Sequence, residues 1–174
     1  MTIDQHEFYT DKSQIELVPG TLRGYRVWGH YAGHLTSTGW NYPWAPCPEQ
    51  QGAICARIGL EMYARALHNA YDCGAPLARC SCGYYASYDP ASNVAHAQIR
   101  DITSGDWVRG AISAYGRIVL GTGGFRAQRV RIDAVWGPGP VTRRAAKVHG
   151  VPWFRTRKAM LEQFPPSDVT ELLR

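Results

Sequence analysis

Residues 107–136 read WVRGAISAYGRIVLGTGGFRAQRVRIDAVW and are the most strand-like part of the chain. β-Branched and other apolar residues recur along it, glycines stand at positions 110, 116 and 121, and Thr122-Gly123-Gly124 supplies the chemistry of a hairpin turn. Residues 125–132 continue with partial apolar and polar alternation. We predict three antiparallel strands here, at the heart of a small antiparallel sheet or half-open barrel.

Shorter strand patterns lie upstream of this stretch. Residues 24–31 form an aromatic and β-branched run, and Ala32-Gly33 offers a turn into a second short strand at 34–38. Residues 39–46 contain two prolines, which predicts a loop. Residues 80–86 predict a tight turn that leads into a strand.

Helical patterns flank the strands. Apolar residues recur at helical spacing over 54–70, and a short helix is expected at 93–99. Gly-Pro-Gly-Pro at 137–140 predicts the end of the sheet. Two helical pieces are then expected at 155–164 and at 168–173, the second with Ser167 as its N-cap.

Composition places the chain among folded single domains. Its 174 residues are 45% hydrophobic and 11% aromatic, enough apolar surface for one core. The N-terminal residues have no basic and apolar pattern of a secretory signal, and no apolar run reaches the length of a membrane helix. We therefore expect a cytoplasmic protein, where reduced cysteines favour metal ligation over disulfides.

Five cysteines are concentrated in the first half of the chain. Thiolate sulfur suits zinc, and a structural site uses four protein ligands. The pair Cys80 and Cys82 precedes Gly83, which lets the backbone turn sharply, and Cys73 lies close upstream. The fourth ligand is Cys55 or, as an alternate, Cys47. The alternative is that several of these cysteines are ordinary buried thiols.

These patterns predict an α+β fold with one packed helix, a zinc-bound turn and a helical C-terminal tail. Residues 1–18 are expected to form a polar N-terminal arm, and residues 19–140 a zinc-stabilised α+β domain. Residues 141–174 are expected to form a helical basic segment packed on that domain.

Charge is distributed unevenly along the chain. Residues 1–97 carry six Lys and Arg against eight Asp and Glu, whereas residues 98–174 carry thirteen against six. A basic half indicates a polyanion such as nucleic acid, and a solvated arginine-rich face is the alternative. Candidate contact residues for nucleic acid or a protein partner are Arg126, Arg129, Arg131, Arg143, Arg144, Lys147, Trp28, Trp40 and Trp44. The aromatic members could instead belong to core and loop packing.

Three motifs give the chain a family resemblance. They are Pro-Gly-x-x-Arg-Gly-Tyr-Arg-x-Trp at 19–28, Cys-x-Cys-Gly-x-Tyr-Ala at 80–86, and the glycine-rich hairpin of 110–127. Through these three motifs, and over residues 19–136, the chain resembles a family of small, uncharacterised actinobacterial and actinobacteriophage proteins. In that family a histidine often stands where Cys73 stands here. The resemblance therefore favours Cys55, Cys73, Cys80 and Cys82 as the zinc ligands, and it implies no activity.

Two common catalytic signatures are absent from the sequence. It has no Gly-x-Ser-x-Gly elbow, and Gly121-Thr122-Gly123-Gly124 lacks the Lys and Ser or Thr of a phosphate loop. His30 and His34 are four residues apart, but the glycines at 29 and 33 argue against a helical metal pair. The sequence favours a non-catalytic zinc-stabilised interaction module, phage-encoded and binding a host protein. A nucleic-acid-binding protein is the second hypothesis, and an enzyme of unrecognised type is the third.

Overall fold

The computed structural model describes residues 15–16, 22–31, 33–37, 40–43, 51–52, 84–91 and 107–170. The strands in this part are β1 (Ile15–Glu16), β2 (Leu22–Tyr31), β3 (His34–Ser37), β4 (Trp40–Pro43), β5 (Gln51–Gly52), β6 (Tyr84–Ser87), β7 (Val108–Leu120), β8 (Gly124–Trp136) and β9 (Trp153–Phe154). The helices are α1 (Pro140–His149) and α2 (Arg157–Gln163). A mostly antiparallel sheet with two helices confirms the α+β class. The helices expected at 54–70 and 93–99 lie outside the described residues.

The central hairpin consists of two long strands, β7 and β8, rather than the three strands expected from the sequence. The glycines do not divide it. Gly110 is paired with Val135 within the ladder, and Gly116, at φ 73°, lies in a bulge between Tyr115 and Ile118. A bulge bends and twists a strand without ending it, so one long strand takes the place of two short ones.

Four strands pair in a closed cycle. β2 runs antiparallel to β7, β7 to β8, and β8 to β6, and β6 returns to β2 through the pair Tyr25 and Ser87. Closure brings Gly24 close to its neighbours, since a Cβ atom there would lie 2.5 Å from Cε1 of Phe125 and 2.7 Å from Cβ of Ala86. Glycine at position 24 therefore permits the approach that closes the cycle.

The remaining strands extend the sheet at its edges. β3 pairs with β2, β4 with β3, β1 with β7 and β5 with β8, all antiparallel, while β9 runs parallel to β8. The prediction of a loop at 39–46 is wrong for Trp40–Pro43, because these residues form strand β4. β4 ends the strand order and Pro43 is its last residue, a position where the missing N–H is tolerated. β1 lies within the stretch expected to be a polar arm.

Helix α1 was not predicted from the sequence, because Gly-Pro-Gly-Pro indicated only the end of the sheet. Pro140 is the first residue of α1, where a fixed φ and a missing N–H suit helix initiation. The helix ends at Gly150 in the left-handed conformation, with φ 63°. Ala145 and Ala146 are buried against the main core cluster, which contains Trp28 and the inward residues of the hairpin.

Helix α2 confirms the expected helix at 155–164 and packs through Met160 against a second core cluster. Its N-cap is Thr156, whose Oγ1 accepts a hydrogen bond from the Ala159 N–H at 3.3 Å. Residues 168–170 are not helical, and Ser167 does not cap a helix there. Its Oγ instead accepts a bond from the Arg23 N–H at 2.9 Å.

Neither helix in the described part of the chain is long and apolar enough to span a bilayer.

Histidine 149 joins α1 to β3 and makes the stability of the fold dependent on pH. Its side chain is buried, and Nε2 accepts a bond from the Leu35 N–H at 3.1 Å, so Nε2 carries no proton. Burial, followed by the charge of His34, lowers the pKa of His149 from its ordinary value of 6.5. Below pH 6.5 the unfolded chain therefore binds a proton at His149 that the folded chain does not bind. The free energy of unfolding consequently decreases as the pH decreases.

We expect the free energy of unfolding, measured with urea, to decrease from pH 7.5 towards pH 5. The variant His149→Gln keeps an acceptor near Nε2 but cannot titrate, so its stability should depend less on pH over this range. All other residues are the same in the two proteins, and the difference between the two profiles therefore isolates His149. Identical profiles would contradict the assignment.

Candidate functional site

The proposed zinc ligands lie outside the described residues. Cys47, Cys55, Cys73, Cys80 and Cys82 all fall in the gaps between the described ranges. Within those ranges no three His, Cys, Asp or Glu side chains come together to hold a metal ion. His30 and His34 lie on β2 and β3, and Nε2 of His30 accepts a bond from the Gly33 N–H at 2.8 Å. This bond shapes the turn between the two strands.

The three tryptophans proposed as contact residues have different locations. Trp28 is 0% exposed and lies in the main core cluster, so a contact role does not fit it. Trp40 belongs to β4, and Trp44 lies outside the described residues. The position of Trp28 matches the alternative of core packing, because its ring lies beside Gly110 of β7 within the main core cluster.

The basic residues divide into a buried one and an exposed group. Arg126 is only 5% exposed, and a surface role does not fit it either. Arg129 and Arg131 are exposed on β8, while Arg143, Arg144 and Lys147 are exposed on α1. We group these five residues by charge and exposure, two on β8 and three on α1, and call them the basic surface. Residues 107–170 contain eleven Lys and Arg against three Asp and Glu, and one of those acids, Asp133, is buried.

Asp133 holds Arg131 in place. Its side chain is 2% exposed and accepts a bond from the Ser113 hydroxyl, which is also buried. Nε of Arg131 donates to Oδ1 of Asp133 at 3.1 Å, and Nε of Arg23 lies 3.7 Å from Oδ2. The guanidinium of Arg131 lies over the Tyr115 ring, 5.8 Å from its centroid. The arginine is thus bonded through its Nε and lies over a ring, while its side chain stays 52% exposed.

Arg143 is arranged in a similar way against Trp153. Its guanidinium carbon lies 5.3 Å from the Trp153 ring centroid. The indole N–H of Trp153 donates to the Gly137 carbonyl at 3.0 Å, and β9 pairs Trp153 with Val135. The ring is therefore immobilised at the edge of the sheet, and α1 places Arg143 above it.

The C-terminal segment covers the sheet beside Asp133. Nη1 of Arg23 donates to the Pro165 carbonyl at 3.2 Å, and the Tyr25 hydroxyl donates to the Phe164 carbonyl at 2.9 Å. Burial raises the pKa of Tyr25 to about 12, so this donor stays protonated. Arg23 and Tyr25 thus hold the segment against β2, and Arg23 also stabilises the buried carboxylate.

Arg26 stabilises the seam where the strand cycle closes. Its Nη1 donates to the Tyr85 carbonyl at 2.8 Å, which links β2 to β6. Burial lowers the pKa of Arg26 to about 10, and the nearby Tyr84 and Tyr85 act in the opposite direction. The side chain therefore remains charged at neutral pH, and its role is structural.

Sequence reasoning missed the partners that position the exposed arginines. Asp133, Ser113, Tyr115 and Trp153 were not singled out from the sequence. One signal was available for Asp133, because it is the single acidic residue between positions 107 and 161 and follows two arginines at alternate positions. No comparable sequence signal marks Trp153.

Comparisons with protein-family models, curated proteins and solved structures found no match to the chain.

Proposed function

We propose that this protein is a non-catalytic interaction module whose basic surface binds nucleic acid. The observation that carries the proposal is the excess of positive charge in residues 107–170. Their exposed arginines and lysines outnumber two exposed acids, Glu162 and Asp168. Phosphate groups attract such a surface over long distances and release counterions when they bind to it. The same charge would serve an acidic protein partner, which the experiment below separates.

Helix α1 supports this proposal through its two faces. Ala145 and Ala146 are buried against the core, and the small side chains let the helix approach the sheet closely. Arg143, Arg144 and Lys147 are exposed on the opposite side. A helix attached by alanines and presenting three cations outward is suited to contacting a phosphate backbone. Lys147 in the last turn also complements the helix dipole.

The Ser113 and Asp133 pair does not favour a nucleophilic site. The Ser113 side chain is buried, and its hydroxyl donates to a carboxylate that two arginines already neutralise. An activated serine needs a base that can take its proton and a surface that substrate can reach. The geometry of this pair supports a structural role.

Charge removal on α1 tests nucleic-acid binding. We expect the triple variant Arg143→Gln, Arg144→Gln and Lys147→Gln to weaken binding of a labelled oligonucleotide by about tenfold or more at low salt. The slope of log K against log salt should also become shallower by about two to three, because each lost phosphate contact lowers it by roughly 0.7–0.9. Fluorescence anisotropy between about 50 and 200 mM salt measures both quantities.

Glu162→Gln is the matched control, because it changes an exposed charge of α2 without removing a cation. Its affinity should equal that of the parent protein or exceed it slightly. Absence of salt-dependent binding in the parent protein would overturn the proposal. Binding of an acidic protein in place of oligonucleotide would support the protein-partner hypothesis instead.

We further propose that Cys55, Cys73, Cys80 and Cys82 hold a structural zinc ion, with Cys47 as the alternate ligand. The support is the cysteine spacing, and β6 begins two residues after Cys82, so an ion at this turn would adjoin the strand that closes the cycle. A reducing cytoplasm would keep the thiols available. Elemental analysis of purified protein should find close to one zinc per chain. Replacing Cys80 and Cys82 by serine should abolish it, whereas zinc-free parent protein would remove the hypothesis.

A further inference from the structure

Two arginines of the basic surface are supported by aromatic rings. Arg131 lies over Tyr115 and Arg143 over Trp153, with guanidinium carbons 5.8 and 5.3 Å from the ring centroids. Both rings are half-buried, and both arginines are exposed. Arg23 makes a similar contact with Phe164, but it is engaged in holding the C-terminal segment. The first two contacts are therefore the ones that a ligand can reach.

Each of these arginines is placed over its ring by the structure around it. Arg131 donates Nε to the buried Asp133, which Ser113 orients in turn. Arg143 is carried by α1 above a ring that is itself fixed by its bond to Gly137. A contact with phosphate alone requires only charge, and a mobile lysine satisfies it equally well. A guanidinium placed over a ring provides a flat surface for stacking in addition to its charge.

An exposed guanidinium is planar, so one that lies over a ring can offer a flat surface for stacking. Unpaired bases stack on arginine planes and aromatic rings, and this contact is largely independent of sequence. In a duplex the base faces are already covered by neighbouring base pairs, so only phosphates and groove edges are available. A surface whose arginines already lie over aromatic rings therefore favours a strand with unpaired bases.

We propose that the ligand of the basic surface is single-stranded nucleic acid, whose bases stack on Arg131 and Arg143. This inference rests on the proposed function. Arg131 is opposite Ser113 in the ladder, and Trp153 adjoins Val135, four residues further along β8. The two arginines belong to different elements, β8 and α1, and we expect them to contact different nucleotides.

Replacement of arginine by lysine separates stacking from charge. Arg131→Lys with Arg143→Lys keeps every positive charge but removes both planes. The probes are single-stranded DNA and single-stranded RNA of about 20 nucleotides and a duplex of equal length, since strands of this size cover a typical site. We expect the parent protein to bind a single strand about tenfold more tightly than the duplex. In the double variant this preference should fall towards parity, with duplex affinity nearly unchanged.

Arg109→Lys with Arg157→Lys is the matched control. Both residues are exposed, and in the described part of the chain neither is placed over an aromatic ring. This variant should keep the single-strand preference, and equal thermal unfolding of all three proteins would show that the fold is intact. The DNA and RNA probes together identify which single strand is preferred.

The possible failures of the two proposals differ. If the parent protein binds the duplex as tightly as the single strands, or the lysine variant keeps the preference, the stacking inference is overturned and the proposed function stands. If the parent protein binds no oligonucleotide, both fail. Selective binding of an acidic protein would likewise contradict both and favour a protein partner.

Discussion

Replacing Gly110 by alanine should destabilise the fold by about 3 kcal/mol or more, among the largest effects we expect from one added methyl group. Gly110 lies in β7, and a Cβ atom there would collide with the Ala134 carbonyl oxygen of β8. It would also lie 2.8 Å from Cζ3 of Trp28. The carbonyl belongs to the central ladder and the indole is fully buried, so neither can move without breaking pairing or packing.

Thermal unfolding followed by circular dichroism measures this effect, and we expect the midpoint to fall by roughly 10 °C for a chain of this size. Gly139→Ala is the matched control. Gly139 precedes α1 at φ −83° and ψ 160°, a conformation open to alanine, and a Cβ atom there would meet nothing within 4 Å. Its midpoint should change by only a few degrees. Similar midpoints for the two variants would show that the approach of β2, β7 and β8 is less close than described.

Replacing Asp133 by alanine should cost about 3 kcal/mol or more of unfolding free energy, because removing one partner of a buried ion pair leaves the others uncompensated. Ser113, itself buried, would lose the acceptor of its hydroxyl. Nε of Arg23, a buried atom, would lose the carboxylate that lies 3.7 Å away. The C-terminal segment would also be affected, since Arg23 holds it through Ser167 and Pro165.

Urea unfolding of three variants separates these contributions. Arg131→Ala should cost about 1 kcal/mol or less, because half of that side chain is solvated and exposed ion pairs contribute little. Asp133→Asn keeps an acceptor for Ser113 and should give an intermediate loss. Equal losses for Asp133→Ala and Arg131→Ala would mean that the exposed pair, and not the buried carboxylate, stabilises the sheet. The ranking of the three variants is therefore the diagnostic result.

Parts of the candidate surface could be read from the sequence, and parts could not. The excess of arginine and lysine in the second half is visible in composition alone, as are Arg129, Arg131, Arg143, Arg144 and Lys147. Burial is not visible in composition. Arg126 belongs to the same basic stretch yet is buried, and Trp28 belongs to an aromatic run yet is enclosed by the core. Side-chain exposure depends on which strands cover a residue, and those strands are distant in sequence.

Local sequence patterns are enough to specify several elements of this protein. Alternation and the Thr122-Gly123-Gly124 turn predicted the central hairpin, and helical patterning predicted α2. These features depend on dihedral preferences and on neighbours within a few residues, which a linear pattern records. The charge of the C-terminal half is set in the same way, because it requires only a count of residues.

The tertiary structure sets how these elements are joined and which side chains they hold in place. It closed the strand cycle at Gly24, kept β7 continuous through a bulge, and placed Arg23 against Ser167, 144 residues away. It also put Asp133 beneath Arg131 and Trp153 beneath Arg143. The physical reason is that such contacts depend on steric fit and charge compensation between distant segments, which the periodicity of a single segment does not encode.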